Sequence, residues 1–176
     1  MSRLLLLYST VDGQTLRICE RMKCVIEALG SQVALASLDD GSVPDLNVFD
    51  KIVIGASIRY GKYRPSVFAF IEANRRVLDA RPTAFFSVNI VARKADKNRP
   101  ETNPYVRTFL CRTAWRPTQL AVFAGRLDYP RYGCFNRQII RLIMRITKGP
   151  TDPSSVVEFT DWNAVEAFAR NLDAMR

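Results

Sequence analysis

The chain has 176 residues and a mass of 20.0 kDa, a length that fits one domain, residues 1–176, around one core. Hydrophobic residues make up 48% and charged residues 24% of the sequence, a composition that excludes a disordered chain. The net charge of +9 is concentrated, because residues 89–150 carry thirteen basic and three acidic side chains. This region predicts a surface that meets an anionic partner.

The absence of histidine and the spacing of the cysteines narrow the possible chemistry. Without histidine, the chain cannot use a Ser-His-Asp triad, an imidazole proton shuttle or a His-ligated zinc. The cysteines form no Cys-x-x-Cys pair, which favours reduced thiols over a metal site or a disulfide framework. They are Cys19, Cys24, Cys111 and Cys134. We therefore expect no bound metal.

Hydrophobic spacing predicts the elements in chain order. Strands are expected at 4–8, 33–38, 52–54, 83–88 and 118–124, and helices at 13–29, after Pro65, at 104–113, at about 135–147 and from Asp161 to Leu172. Residues 125–155 interrupt this alternation as an insertion, and residues 156–159 are predicted to resume the edge of the sheet. The first apolar run leads directly into polar residues without a cleavage site, so we expect a buried strand and no signal peptide.

No apolar run reaches the length of about 20 residues that a spanning helix needs, so we expect a soluble or peripheral protein. The order of elements predicts a doubly wound α/β fold with a parallel sheet. For five strands the natural order is 2-1-3-4-5, with the ligand site beyond the carboxyl ends of strands one, three and four.

The turn after the first strand is rich in hydroxyl groups and leads into a helix. It comprises Ser9, Thr10, Val11, Asp12, Gly13, Gln14 and Thr15. Backbone amides and hydroxyls at a helix start can surround a terminal phosphate, although the same turn also fits an ordinary capped helix. The carboxylate of Asp12 would repel a phosphate, so we expect this side chain to turn outward.

Two further loops are predicted at the same edge of the sheet. The loop after the third strand contains Ser57, Ile58, Arg59, Tyr60, Gly61 and Lys62, and the loop after the fourth contains Ser87, Val88, Asn89, Ile90 and Val91. Small residues and Tyr60 suit a flat ring, and Asn89 can either hydrogen-bond the edge of a heterocycle or close a turn. Arg59 and Lys62 can stabilise an anionic ring or an acidic substrate. Each loop alone is unspecific, but together they predict one binding site.

The motifs resemble those of known families. The turn S-T-V-D-G-Q-T resembles the phosphate loop of flavodoxins, with Asp12 where flavodoxins usually have threonine. A more specific resemblance, to the flavodoxin-like, menaquinone-dependent protoporphyrinogen oxidases of bacterial haem biosynthesis, rests on four segments. They are V-I-G-A-S-I-R-Y-G-K-Y (53–63), F-S-V-N-I-V-A-R-K (86–94), W-R-P (115–117) and Y-P-R-Y (129–132). The resemblance covers nearly the whole chain, from Leu4 to about Phe168.

This resemblance implies a flavodoxin-like FMN enzyme that oxidises protoporphyrinogen IX to protoporphyrin IX. It also implies a membrane quinone, menaquinone or ubiquinone, as electron acceptor and a peripheral position at the cytoplasmic side of the inner membrane. Residues 10–15 would hold the FMN phosphate, while 57–61 and 87–91 would flank the isoalloxazine. No general base is identifiable, which is chemically tolerable because the cofactor carries the hydride chemistry. Arg59 and Lys62 are the candidates for electrostatic assistance.

The predicted helix in the basic insertion near strand five is amphipathic. One face carries Phe135, Ile139, Leu142, Ile143 and Ile146, and the opposite side carries Arg137, Arg141, Arg145 and Lys148. This pattern suits a helix on an anionic membrane surface, or a helix that packs its apolar face on the domain. In both cases the cations are available to lipid headgroups or to the propionates of the substrate.

Other functions stay open at this point. An FMN-dependent NAD(P)H:quinone reductase is one, although no second dinucleotide site is visible. A non-catalytic flavodoxin-type electron carrier is another, which the basic charge disfavours because such carriers are generally acidic. The basic stretch Arg93–Arg107 is expected to be a solvated loop or a lid for porphyrin carboxylates. We expect no nucleic-acid binding, since no recognition helix is evident.

Overall fold

Five parallel strands form the central sheet of the computed structural model, which describes residues 1–176. They are β1 (Arg3–Ser9), β2 (Gln32–Ser37), β3 (Lys51–Ser57), β4 (Thr83–Val88) and β5 (Gln119–Phe123). Their order in the sheet is β2-β1-β3-β4-β5, as the sequence predicts. The central strands are continuous apolar runs because helices cover both faces of the sheet.

The structure also has six helices and a small second sheet. They are α1 (Gln14–Ala28), α2 (Pro65–Ala73), α3 (Arg75–Asp79), α4 (Pro104–Arg112), α5 (Cys134–Ile146) and α6 (Trp162–Ala174). Alternate residues of β1 point to opposite faces, so Leu4 and Leu6 pack in the core formed with α1 and α6. Leu5 and Leu7 pack in the core that includes residues of α2 and α4. In the second core the ring of Phe85 stacks on that of Phe109, with 4.0 Å between the centroids.

Most of the predicted elements are confirmed, and capping interactions define the ends of two helices. The helix α1 ends before Gly30, which has φ of 95° and donates its amide to the carbonyl of Glu27. Asp161 caps α6 by accepting a hydrogen bond from the amide of Ala164, at 3.1 Å. Within residues 39–50 only a 3₁₀ turn forms, at Leu46–Val48.

The prediction that residues 156–159 resume the sheet edge is wrong. The strand β7 (Val156–Glu158) pairs instead with β6 (Arg126–Asp128), in a separate antiparallel sheet with Leu127 opposite Val157. This pairing joins the two ends of the insertion and leaves α5 as an excursion between them. No helix in the structure combines the length and apolar character needed to cross a membrane.

The strand register positions the three predicted loops. Ser9 of β1 lies opposite Ala56 of β3, and Ser57 lies opposite Val88 of β4. The carboxyl ends of these adjacent strands therefore coincide, and the loops that follow them meet at one edge of the sheet.

Candidate functional site

One cleft lies at this edge, with an open volume of about 900 Å³ that includes its mouth. Twelve of its 21 lining residues are hydrophobic. The predicted residues that line it are Thr10, Val11, Asp12, Gln14, Ser57, Ile58, Arg59, Tyr60, Gly61, Val88, Asn89, Ile90 and Val91. The structure thus brings the three loops together, and α5 adds Ile140, Ile143 and Met144 to the lining.

The segment at the start of α1 contributes to the cleft lining and leaves hydrogen-bonding groups unpaired. Gly13 precedes the helix with φ of 85°, and no side chain caps the first amides of α1. The Oγ1 atom of Thr15 is buried and has no hydrogen-bond partner, whereas the Thr10 hydroxyl accepts from the amide of Gly13 at 3.0 Å. Uncapped amides at the positive end of a helix and an unpaired hydroxyl are the groups that bind a phosphate. The residues present therefore fit a ligand with a terminal phosphate.

Asp12 lies just before the start of α1, and its charge is paired. The Nη1 atom of Arg59 lies 2.7 Å from a carboxylate oxygen of Asp12. The Arg59 guanidinium also lies over the rings of Tyr60 and Tyr132, 5.1 Å from each centroid. The side chain of Asp12 is 40% exposed. A bound anion would therefore meet a neutralised carboxylate, with the neutralising guanidinium held between two rings.

The loop after β3 is a tight turn. Arg59 and Lys62 exchange backbone hydrogen bonds of 2.9 and 3.1 Å, and Tyr60 and Gly61 both have positive φ, at 49° and 76°. Positive φ is unfavourable for tyrosine, and such strain is typical of functional sites. The turn presents the half-exposed ring of Tyr60 at the cleft, and the hydroxyl of Tyr60 donates to Asn136 of α5. The side chain of Lys62 is exposed and does not line the cleft.

The polar side chains after β4 contact the protein itself. Asn89 is buried and accepts a hydrogen bond from the amide of Ala92 at 3.1 Å. Its amide nitrogen donates to Ser87 at 2.9 Å, so Asn89 closes a turn, one of the two roles that the sequence leaves open. Ser87 also accepts from the hydroxyl of Tyr63, whose pKa burial raises well above its usual value. Ile90 and Val91 form the apolar lining here.

Sequence reasoning missed the residues that the insertion contributes to the cleft. These are Gly125, Arg126, Leu127, Tyr132, Ile140, Ile143 and Met144. Burial raises the pKa of Tyr132, so its hydroxyl is neutral at physiological pH. A second apolar pair at helical spacing, Ile140 and Met144, was the available signal. This pair lies on the arginine side of the helix, so it is missed when only the main apolar face is considered.

The orientation of α5 shows which of its faces packs against the rest of the domain. Ile140 and the fully buried Met144 face the domain, whereas Phe135 is 77%, Leu142 58% and Ile146 73% exposed. The alternative in which the main apolar face packs on the domain is therefore wrong. This face is unpartnered in the structure.

The four cations of α5 and its end divide into two pairs. Arg137 and Arg141 are half-buried and donate to the carbonyls of Tyr132 and Thr151, at 3.3 and 3.0 Å. Arg145 and Lys148 are exposed. The second pair is the more accessible to an external anion, whereas each arginine of the first pair donates to one backbone carbonyl and the Nε atom of Arg137 is buried without a partner.

Arg93 connects the loop after β4 to the end of α5. Its guanidinium donates to the carbonyl of Ile90 at 3.1 Å and to that of Thr147 at 2.8 Å. The expectation of a solvated basic loop is wrong for this residue, which is half-buried between the two segments. Arg93 therefore fixes the position of α5 relative to the apolar lining of the cleft.

Comparison with known proteins places this geometry in a family. A model described as a flavodoxin domain matches residues 5–154. A protein of Escherichia coli K12 named protoporphyrinogen IX dehydrogenase [quinone] is 44% identical over 168 residues, which are 96% of this chain and 93% of the relative. The chain belongs to the family of flavodoxin-domain protoporphyrinogen IX dehydrogenases.

Further relatives agree with this membership. A Leishmania major protein with the same name is 40% identical over 97% of this chain and 74% of its own length. Among solved structures, oxidised flavodoxin 1 of Bacillus cereus superposes over 97% of both chains with a TM-score of 0.56 at 14% identity. A short-chain flavodoxin associated with a PDU bacterial microcompartment has the same TM-score at 10% identity, over 98% of this chain and 97% of its own. At these identities the two structures establish the flavodoxin-like fold of this family member and nothing about its ligands.

Proposed function

We propose that this protein catalyses the FMN-dependent oxidation of protoporphyrinogen IX to protoporphyrin IX in haem biosynthesis and passes the electrons to a membrane quinone, menaquinone or ubiquinone. The observation that carries the proposal is the uncapped start of α1, with the unpaired, buried hydroxyl of Thr15, in a segment whose residues Thr10 to Asp12 and Gln14 line a largely apolar cleft. This is a phosphate site joined to a ring site. In a chain 44% identical to a dehydrogenase that is named for both the porphyrinogen and the quinone, it fits FMN.

The residues around the cleft divide the binding of FMN between them. The first amides of α1 and the hydroxyl of Thr15 would hold the phosphate. The loops at 57–61 and 88–91, with the rings of Tyr60 and Tyr132, would enclose the isoalloxazine. When bound, FMN supplies a ring that accepts a hydride from a carbon donor and gives electrons to a quinone.

The chain's own contribution to the chemistry is electrostatic and steric. Asp12 is the only carboxylate that lines the cleft, and it is committed to Arg59. The cleft therefore offers the Asp12–Arg59 ion pair and no free carboxylate as a general base. Ile140, Ile143 and Met144 of α5 give the cleft an apolar wall on one side.

We further propose that α5 places the protein on the anionic surface of the membrane, as a peripheral protein at the cytoplasmic side. The exposed side chains of Phe135, Leu142 and Ile146 provide an apolar face. Arg145 and Lys148, on the other side and at the end of the same helix, are exposed, and each cation close to an anionic surface contributes about 1 kcal/mol. This position would give the enzyme access to a quinone that is confined to the bilayer.

An anaerobic assay with the purified protein, FMN, menaquinone and protoporphyrinogen IX tests the function, with porphyrin fluorescence as readout. We expect porphyrin to form only when both FMN and menaquinone are present, and to stop when either is omitted. Bound FMN without porphyrin formation would refute the proposed substrate. Rapid bleaching of the flavin by NAD(P)H, with no response to the porphyrinogen, would establish the reductase instead.

A further inference from the structure

We propose that the exposed apolar face of α5 and the cleft form one continuous path for a quinone, with the ring in the cleft and the isoprenoid tail on α5. Ile143 marks the point where the two surfaces join. This inference rests on the proposed function, because it takes a quinone as the electron acceptor.

Ile143 belongs to both surfaces. Its side chain lines the cleft and is also 37% exposed at the surface. On the outer side, Ile139 and Ile146 are its neighbours at four and three residues along the helix, so their side chains form one ridge. On the inner side, Ile140 lies three residues before it and lines the cleft. The apolar surface therefore continues from solvent into the cleft without a polar interruption along α5.

The side of the cleft at Asp12 cannot take an apolar tail. Around Asp12, the protein surface is formed by Arg17, Arg126, Asp128 and Arg131. Salt bridges of 3.1 Å join Arg17 to Glu158 and Arg126 to Asp128. Laying a hydrocarbon chain over these groups would remove water from charges without replacing its hydrogen bonds. The polarity of the two sides thus leaves the α5 side as the exit for the tail.

The chemistry of a membrane quinone matches this arrangement. Its ring must approach the ring site to accept electrons, and its tail has no polar atoms, so the tail gains free energy by leaving water for an apolar surface. The structure also holds α5 in place at both ends, through Tyr60 to Asn136 near its start and Arg93 to Thr147 at its end. The path is therefore preformed.

A series of quinones tests the path in buffer without lipid, where membrane attachment has no influence. The series shares one ring and carries no tail, a single isoprene unit or two units. For the unaltered protein we expect kcat/KM to rise about tenfold with each unit, since each unit buries apolar surface. In the double variant Leu142→Ser/Ile146→Ser this gain should fall to about twofold or less in total, because its apolar contact is removed.

The matched control is the double variant Leu29→Ser/Val48→Ser, which removes two exposed apolar side chains far from the cleft and should keep the full gain. A readout independent of turnover is photolabelling with a quinone that carries a diazirine in its tail. The label is expected in the tryptic peptides 138–141 and 142–145, with competition by the tailed quinone and none by the tailless one.

The outcomes separate this inference from the proposed function. If the tailless quinone is reduced but tail length has no effect, or if the label lies outside α5, the path is refuted while the function stands. An equal loss of the gain in the test and control variants also refutes the path. If no quinone of the series accepts electrons, the proposed function fails and the inference fails with it.

Discussion

At the scale of single residues, the proposed phosphate site depends on a hydroxyl group that makes no hydrogen bond within the protein. The hydroxyl of Thr15 is buried without a partner, a state that costs folding free energy and is expected where a ligand completes the hydrogen bonds. One isosteric substitution therefore separates two effects of this hydroxyl, which lowers the stability of the free protein and raises its affinity for the ligand.

We expect Thr15→Val to weaken FMN binding about tenfold, because one hydrogen bond to the phosphate is lost. The free energy of unfolding of the FMN-free protein should stay unchanged or rise by up to about 1 kcal/mol, because a buried unpaired hydroxyl is removed. Quenching of FMN fluorescence gives the affinity and urea denaturation the stability. Thr108→Val, at an exposed position of α4, is the control. Weaker folding with unchanged FMN affinity would contradict this assignment.

Asp12 and Arg59 are expected to act as a pair toward the phosphate. Removal of the guanidinium in Arg59→Ala leaves the carboxylate of Asp12 unneutralised beside an anion, so the Kd for FMN should rise by at least about tenfold. In Asp12→Asn/Arg59→Ala most of this loss should be recovered. A double-mutant cycle on the Kd for FMN measures the coupling, and strictly additive effects of the two substitutions would show that the ion pair is irrelevant to binding.

At the scale of elements, Arg93 is the connection between α5 and the cleft. In Arg93→Ala the hydrogen bonds to Ile90 and Thr147 are lost, so the insertion should open more readily. Hydrogen exchange is expected to become at least about tenfold faster for amides of α5, while β1 and β3 keep their protection. Arg107→Ala, in the exposed part of α4, is the control. Unchanged exchange in α5 would mean that other contacts hold it.

The sequence predicts the elements whose signals are local and apolar. The runs in β1, β3 and β4 are continuous because both sheet faces are covered, and their alternation with helices leads to the strand order and to the edge where the loops meet. The turn at Tyr60 escapes prediction, because positive φ in a tyrosine is imposed by its surroundings. The role of Arg93 also escapes, because it depends on a contact 54 residues away.

The pairing of β7 and the orientation of α5 could not be predicted for a related reason. A three-residue strand such as Val156–Glu158 has too few side chains to specify its partner, and closure of the insertion decides in favour of β6. The helix α5 has apolar residues on two sides, Ile140 and Met144 on one and Phe135 and Ile146 on the other. Periodicity alone cannot tell which side packs, and the tertiary contacts select the smaller set.

At the scale of the whole molecule, α5 combines exposed apolar side chains with exposed cations, since four of the ten exposed large hydrophobic side chains lie on it and Arg145 and Lys148 lie at its end. We expect the protein to sediment with vesicles that contain anionic lipid, less so at high salt, since headgroup attraction is screened. Phe135→Ser/Leu142→Ser/Ile146→Ser should reduce the bound fraction about tenfold or more, and Arg145→Glu/Lys148→Glu should abolish its preference for anionic lipid. Leu29→Ser/Val48→Ser should bind as the unaltered protein does. Equal sedimentation of all variants would rule out α5 as the membrane contact.

The most direct test of the proposed function mixes the FMN-loaded protein anaerobically with protoporphyrinogen IX and then with menaquinone, while the visible absorbance of the flavin and the fluorescence of the porphyrin are recorded. We predict that the porphyrinogen bleaches the flavin, that menaquinone restores its absorbance, and that porphyrin accumulates over repeated cycles. A flavin that keeps its absorbance in the presence of the porphyrinogen, but is bleached by NAD(P)H, would contradict the proposed reaction.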